Sequence, residues 1–253
     1  FTQVGPDICG FVGQNGNRFQ NQSQIEEIHE LCVRWQQVGA FFTYSRNHNT
    51  ENEFDQSPGN SEFWTEKDQE MMKFAMRTRY ELLPNLYTMM FLASDIFQKE
   101  LERNEYFSFP TKNSYVFRSL AMSAPDEVKN IPENNLNSQF LWGDKLMFAP
   151  NLRRRKKTVE VYFPNLGHNT QIMVSMESKK GKPESEATYF YDYYDGNNVY
   201  QSNQDLVVEV PADEKIPIFQ ISGSIIFKLP LKENQTTTFE QYYSYDPDLT
   251  WPT

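Results

Sequence analysis

The hydrophobic pattern of this chain changes character near Pro110. Before it, apolar residues recur at the spacing of amphipathic helices, and short apolar runs ending in polar residues separate the helical segments. After it, the helical spacing fades, and short β-rich runs alternate with polar turns rich in Gly and Asn. This order predicts an α/β region followed by an antiparallel β-sandwich.

The first helix is predicted to begin at a capping box, in which the side chains of Ser23 and Glu26 satisfy free amides of the first turn. Its apolar face comprises Ile25, Ile28, Cys32 and Trp35. Gly39 ends the helix, and residues 40–44 are predicted to form a strand. A buried strand over residues 1–12 precedes the helix, and this alternation is typical of α/β folds.

A second helical region begins at Thr65, which is predicted to be its N-cap. Its apolar face, which we expect to lie in the core, includes Met72, Ala75, Met76 and Tyr80. Pro84 is predicted to interrupt the helix, because proline is tolerated best in a first helical turn. A separate helix is therefore expected from about Pro84 to Gln98. The later β-rich runs cover residues 158–163, 206–210 and 216–229.

Charge and length exclude several classes of protein. The net charge of −10 argues against a general surface for nucleic acid or anionic membranes. No apolar run approaches the roughly 20 residues of a membrane helix. The basic run at residues 153–157 is predicted to be a solvated turn rather than an anion site. The chain has no initiator Met and no visible leader, so we expect a piece of a longer protein or a processed one.

The sequence contains no pattern for a metal or cofactor, and we expect none. Its two cysteines and three histidines form neither a C-x-x-C nor an H-E-x-x-H motif, and no phosphate-binding Gly loop or G-x-S-x-G elbow occurs. Cys9 and Cys32 are either free core thiols or one disulfide. Asn21 and Asn234 begin glycosylation triplets. His29, on the first helix, is predicted to be a surface residue.

The strongest candidate site lies where two apolar runs end in polar residues. One run passes Asp7 and opens into a loop at Phe11, and the other ends in Arg46, His48 and two asparagines. In a parallel (β/α) barrel the carboxyl ends of strands form the active site. Such hydrogen-bond donors suit hydroxyl-rich ligands, although a structural role for His48 stays open. The aromatic content of 15% fits a sugar-binding groove or an ordinary core.

Seven motifs in one order resemble glycoside hydrolase family 31, and within it the α-glucosidases of the lysosomal and intestinal maltase type. They occupy residues 7–11, 30–35, 39–49, 79–88, 139–144, 190–194 and 216–226. The resemblance implies the last two strands and helices of a (β/α)₈ barrel, over residues 1–148. It implies a proximal β-sandwich over 149–236 and a further segment over 237–253.

By resemblance, the full protein is a retaining α-glucosidase that removes terminal α-linked glucose from oligosaccharides in the lysosome or outside the cell. His48 then hydrogen-bonds the sugar at the cleavage site, Phe11 lines that subsite, and Asp7 and Arg46 support the pocket. Neither catalytic carboxylate motif of the family occurs here, so this chain alone is expected to be inactive and to require the upstream part of the barrel. The alternative is a non-catalytic carbohydrate-binding or structural derivative of the family.

The resemblance also implies that Cys9 and Cys32 form a disulfide, which pins the loop after one barrel strand to the following helix.

Overall fold

The computed structural model describes residues 3–11, 21–51, 54–94, 115–166, 187–209 and 215–229, and every structural statement below concerns these residues. The helices are α1 (Gln22–Gly39), α2 (Glu66–Leu92), α3 (Leu120–Ser123) and α4 (Glu133–Ser138). The strands are β1 (Phe117–Ser119), β2 (Phe140–Trp142), β3 (Leu146–Phe148), β4 (Thr158–Phe163), β5 (Tyr189–Asp192), β6 (Val199–Gln201), β7 (Gln204–Glu209) and β8 (Ile218–Ile221).

Helix α1 begins earlier than its capping pattern predicts. Asn21 is the N-cap, and its side-chain oxygen accepts a hydrogen bond from the Gln24 amide at 3.0 Å. The prediction of a capping box at Ser23 and Glu26 is therefore wrong. Asn caps as well as Ser does, and Asn21 has the extended backbone that a cap requires, so Ser23 falls inside the first turn.

Helix α2 is continuous from Glu66 to Leu92, so the predicted break at Pro84 is wrong. The predicted cap at Thr65 is confirmed, and Asp68 completes a capping box with it. Pro84 costs the helix one backbone hydrogen bond, a penalty of about 3 kcal/mol. Leu82 and Leu86, on either side of it, are almost fully buried in the same hydrophobic cluster, and this burial offsets the penalty.

Two antiparallel sheets form the sandwich that the later pattern predicts. The larger has the order β1-β2-β3-β8-β5-β6, and the smaller pairs β4 with β7. All strand pairs in both sheets are antiparallel. The chain thus combines the end of a barrel with a β-sandwich.

Alternating side chains of the larger sheet face two different cores. In β2, Phe140 and Trp142 face a cluster with residues of α1 and α2, whereas Leu141 faces a cluster with residues of β4. Strand β3 repeats the alternation, with Met147 on the β4 side. Successive strand side chains point to opposite faces, so one sheet binds the helices on one side and the second sheet on the other.

The two predicted barrel strands lie side by side and parallel, but neither is a regular strand. One bridge joins Ile8 to Asn47, and the Tyr44 amide donates to the Val4 carbonyl at 3.1 Å. Residues 41–44 form a turn followed by bends rather than the predicted strand. Parallel strands are stable inside sheets with neighbours on both sides, and within the described part of the chain these two segments have no strand neighbour except each other.

The basic run forms an exposed turn, as predicted, and this turn also contacts α1. Arg154 pairs with Glu27, and the Arg155 amide donates to the Glu30 carboxylate at 2.6 Å. Arg34 of α1 donates from its guanidinium to two carbonyls of the same region, those of Asn151 and Lys156. These contacts tie the helical part of the chain to the sandwich.

No helix in the described part of the chain combines the length and the apolar composition that crossing a membrane requires.

Candidate functional site

An ion pair joins the two strand ends. The Arg46 guanidinium donates from Nε to Asp7 Oδ1 at 2.5 Å, and the Ile8 amide donates to the Arg46 carbonyl at 3.0 Å. The hydrogen bond to Asp7 raises the pKa of Arg46 above its ordinary value. The Arg46 side chain is about half exposed, whereas the Asp7 side chain is largely buried, so the ion pair lies partly at the protein surface.

Phe11 and His48 lie next to each other just beyond this ion pair. Their ring centroids are 5.2 Å apart with an interplanar angle of 36°. The Thr50 amide donates to the Phe11 carbonyl at 3.0 Å, which fixes the backbone of one loop against the other. Both side chains are exposed, so an apolar ring and a hydrogen-bonding ring lie side by side at the surface.

A disulfide between Cys9 and Cys32 holds the loop that carries Phe11, as the family resemblance implies. The two Cα atoms are 4.7 Å apart, and Cys32 is buried in α1. Cys9 and Gly10 both have positive φ, +70° and +91°, which turns the chain sharply after Ile8. The disulfide therefore anchors the tight turn at Cys9, two residues before Phe11, to helix α1.

A third segment, residues 54–57, connects the two loops. Asn47 and Asn49 donate from their side-chain amides to the Gln56 and Phe54 carbonyls, at 3.4 and 2.9 Å. The Gln56 side chain, itself buried, donates to the Gly10 carbonyl at 3.1 Å. The sequence analysis noted Asn47 and Asn49 only as hydrogen-bond donors beside His48. It did not identify Gln56, which no local spacing marks.

Two side chains from distant elements hold the carbonyls that precede Arg46. Arg79 of α2 donates from one guanidinium nitrogen to the Ala40 and Phe42 carbonyls, both at 2.6 Å. Trp142 of β2 donates from its indole nitrogen to the Phe41 carbonyl at 2.7 Å. Together they supply backbone partners that a regular strand would obtain from its neighbours.

His29 is largely buried, so its predicted surface position is wrong. Only 13% of its side chain is exposed, and its Nδ1 lies 2.7 Å from Asp68 Oδ2 of α2. The rings of Phe63 and Trp64 pack against it at centroid distances of 4.9 and 5.2 Å. The prediction failed because the partner on α2, Asp68, lies 39 positions away, and local spacing does not show such a contact.

The remaining candidates fall outside this arrangement. Asn21 is exposed and caps α1, so its amide is accessible, and Asn234 lies outside the described residues. A cavity of about 410 Å³ between α1 and β1 is lined by none of Asp7, Phe11, Arg46 and His48. In the described part of the chain, no three His, Cys, Asp or Glu side chains are gathered closely enough to hold a metal ion.

Comparisons with known protein families give two matches. The family model for the glycosyl hydrolases family 31 TIM-barrel domain matches residues 1–89. The model for the glycosyl hydrolase family 31 C-terminal domain matches residues 113–226. The second match begins close to β1 and ends just beyond β8, so it covers the larger sheet of the sandwich.

Two curated relatives show the same likeness. The lysosomal alpha-glucosidase of Mus musculus is 32% identical over 238 residues, which is 94% of this chain and 20% of that protein. The intestinal sucrase-isomaltase of Homo sapiens is 37% identical over 164 residues, 65% of this chain and 7% of that protein. The chain thus spans a fifth or less of the length of these relatives.

Among solved structures, a GH31 dextranase from Flavobacterium johnsoniae complexed with glucose superimposes with a TM-score of 0.61 at 25% identity. The superposition covers 89% of this chain and 21% of the dextranase. An alpha-xylosidase from Xanthomonas citri shares the fold at 24% identity, with a TM-score of 0.62 over 89% of this chain and 20% of its own length.

Proposed function

Because this chain belongs to glycosyl hydrolase family 31, we propose that it is the carboxyl-terminal part of a retaining α-glucosidase. The full protein removes terminal α-linked glucose from oligosaccharides. Its relatives include proteins named lysosomal alpha-glucosidase and intestinal sucrase-isomaltase, which supports an α-glucoside as the substrate. Since the chain spans only a fifth or less of those relatives, the activity is proposed for the longer protein.

The observation that carries the proposal is the pairing of Phe11 with His48 at the ends of two parallel segments. In a barrel, these ends lie on the face where substrates bind. We propose that His48 donates a hydrogen bond to hydroxyls of the sugar at the cleavage site and that Phe11 covers the apolar face of that sugar. The Asp7–Arg46 pair supports both by holding the two segment ends together.

The chemistry itself needs two carboxylates that this chain does not supply. One attacks the anomeric carbon to form a glycosyl-enzyme, and the other protonates the leaving oxygen and then activates water. The family's motifs for both groups are missing from the sequence. The proposed partner is therefore the upstream part of the same barrel, in the same chain or a companion chain.

The missing carboxylate motifs also support a second candidate, a non-catalytic carbohydrate-binding or structural member of the family. The two candidates differ in the sequence that precedes Phe1. Both carboxylate motifs there support the enzyme, and their absence supports the non-catalytic protein.

We also propose that the protein works in the secretory pathway, in a lysosome or outside the cell. The disulfide requires an oxidising compartment to form, and the exposed Asn21 triplet is accessible for glycosylation.

Substitution of His48 tests the sugar-binding role. In the full-length protein, His48→Ala is expected to lower kcat/KM on maltose by about tenfold or more, because a bond strengthened in the transition state is lost. Its melting temperature is expected to stay unchanged, since His48 is exposed. Lys73→Ala, on the exposed surface of α2, serves as the control. Unchanged kinetics, or unfolding of His48→Ala, would contradict the proposed role.

A further inference from the structure

The largely buried side chain of His29 makes a polar contact between α1 and α2. This contact has no part in the sugar-binding role proposed for His48 and Phe11. Its Nδ1 donates to Asp68 Oδ2 at 2.7 Å. The same carboxylate oxygen accepts the Thr65 amide at 3.0 Å and the Thr65 hydroxyl at 2.5 Å. His29 is therefore bonded to the capping box that begins α2, so it fixes the start of that helix against α1.

The ring of His29 also packs against the aromatic residues that precede α2. Phe63 and Trp64 contact it, and Phe54 packs on both of them with centroid distances of 4.5 and 6.1 Å. Trp64 donates from its indole nitrogen to the Ser57 carbonyl at 2.8 Å. The aromatic group therefore holds both ends of the 54–57 segment.

That segment contacts both loops of the candidate site. Its Phe54 and Gln56 carbonyls accept hydrogen bonds from the side-chain amides of Asn49 and Asn47. These two asparagines lie on either side of His48 in the chain. Its Gln56 side chain donates to Gly10, the residue before Phe11. A continuous series of packed rings and hydrogen bonds thus runs from His29 to the residues next to His48 and Phe11 in the chain.

We propose that His29 is a positioning residue, which acts through Asp68 and the Phe63–Trp64 pair to set the geometry of His48 and Phe11. This inference rests on the proposed sugar-binding function. His29 itself makes no contact with the sugar. Its effect is confined to how well the two binding side chains are aligned, and misalignment of a binding group by about 1 Å is enough to reduce catalytic efficiency strongly.

The test uses the full-length protein and compares three variants on maltose. His29→Phe keeps a ring but loses the donor to Asp68, and we expect KM to rise by about three- to tenfold. His29→Asn places an amide donor near the position of Nδ1, and we expect it to recover much of that loss. Tyr162→Phe removes a 3.2 Å hydrogen bond to Glu127 in the sandwich, far along the chain from the site, and KM is expected to stay unchanged.

Two results would overturn the inference. One is a wild-type KM in His29→Phe, and the other is an equal rise of KM in Tyr162→Phe, which would indicate a general loss of stability. Should His29→Phe not fold, Asp68→Ala removes the acceptor of the same contact from α2 and carries the same expectation. A wild-type KM and kcat in His48→Ala would instead refute the sugar-binding role, so the two failures are distinguishable.

Discussion

Individual side chains, rather than a regular sheet, hold the candidate site together. The clearest case is Cys9, which has a φ of +70° and is bonded to Cys32 of α1. A non-glycine residue with positive φ is uncommon and marks a turn that its surroundings must maintain. We interpret the disulfide as the group that maintains the turn before Phe11.

Removing this disulfide is expected to destabilise the protein. In the chain-entropy model, a crosslink between residues 23 positions apart contributes about 3 kcal/mol. The double variant Cys9→Ala/Cys32→Ala should therefore melt several degrees below the wild type, as measured by thermal denaturation of the full-length protein. The wild type under reducing conditions is the matched control and should melt like the double variant. Equal melting of oxidised wild type and variant would refute a structural role for the disulfide.

Some residues of the candidate site could be predicted from the sequence and others could not, because the latter depend on contacts between distant parts of the chain. Asp7 stands out because it lies within a short apolar run, and Arg46 and His48 because they follow the end of another. Gln56 and His29 do not, because their partners, Gly10 and Asp68, lie 46 and 39 positions away. Contacts across such distances depend on how elements pack, which local spacing does not encode.

At the scale of elements, β2 and α2 replace the neighbours that the second barrel segment lacks. Trp142 is fully buried, and its indole nitrogen donates to the Phe41 carbonyl, which is buried as well. Phe41 and Trp142 also contact each other edge to face with centroids 5.8 Å apart. The segment before Arg46 is thus fastened to the sandwich by both a hydrogen bond and ring packing.

Trp142→Phe is expected to lower the free energy of unfolding by about 1–3 kcal/mol, because it leaves a buried carbonyl without its donor. The measurement is chemical or thermal denaturation of the full-length protein. Tyr191→Phe, a substitution at an exposed ring of β5, is the control and should change stability little. If the two variants proved equally stable, the contact between Trp142 and the segment would be unimportant.

Three strands of the sandwich, β4, β7 and β8, coincide with predicted β-rich runs, whereas β1, β2 and β3 lie in residues that the sequence assigned to the barrel part. The strands of the larger sheet alternate between two cores and are apolar on both faces, so no period of two marks β2 or β3 in the sequence. The continuity of α2 through Pro84 was not visible, because burial of Leu82 and Leu86 outweighs the local effect of proline. We also propose that the sandwich begins near Phe117 rather than at residue 149, since β1, β2 and β3 belong to its larger sheet.

On the scale of the whole molecule, we propose that the barrel part depends on contacts with the upstream part of the same barrel. The two barrel segments share one bridge, whereas a closed barrel has eight strands, each paired on both sides. Yet α1 and α2 pack on the larger sheet in one cluster, so the helices and the sandwich share a core. We therefore expect the 253-residue chain to retain its sandwich while its barrel edge stays open.

The proposed function can be tested by assaying maltose hydrolysis by the full-length protein and by this chain side by side. We predict robust turnover by the full-length protein and none by the chain alone, because the chain lacks both catalytic carboxylate motifs of the family. Turnover by the isolated chain would contradict this prediction, and Asp7 and Asp55 would then be the first carboxylates to examine.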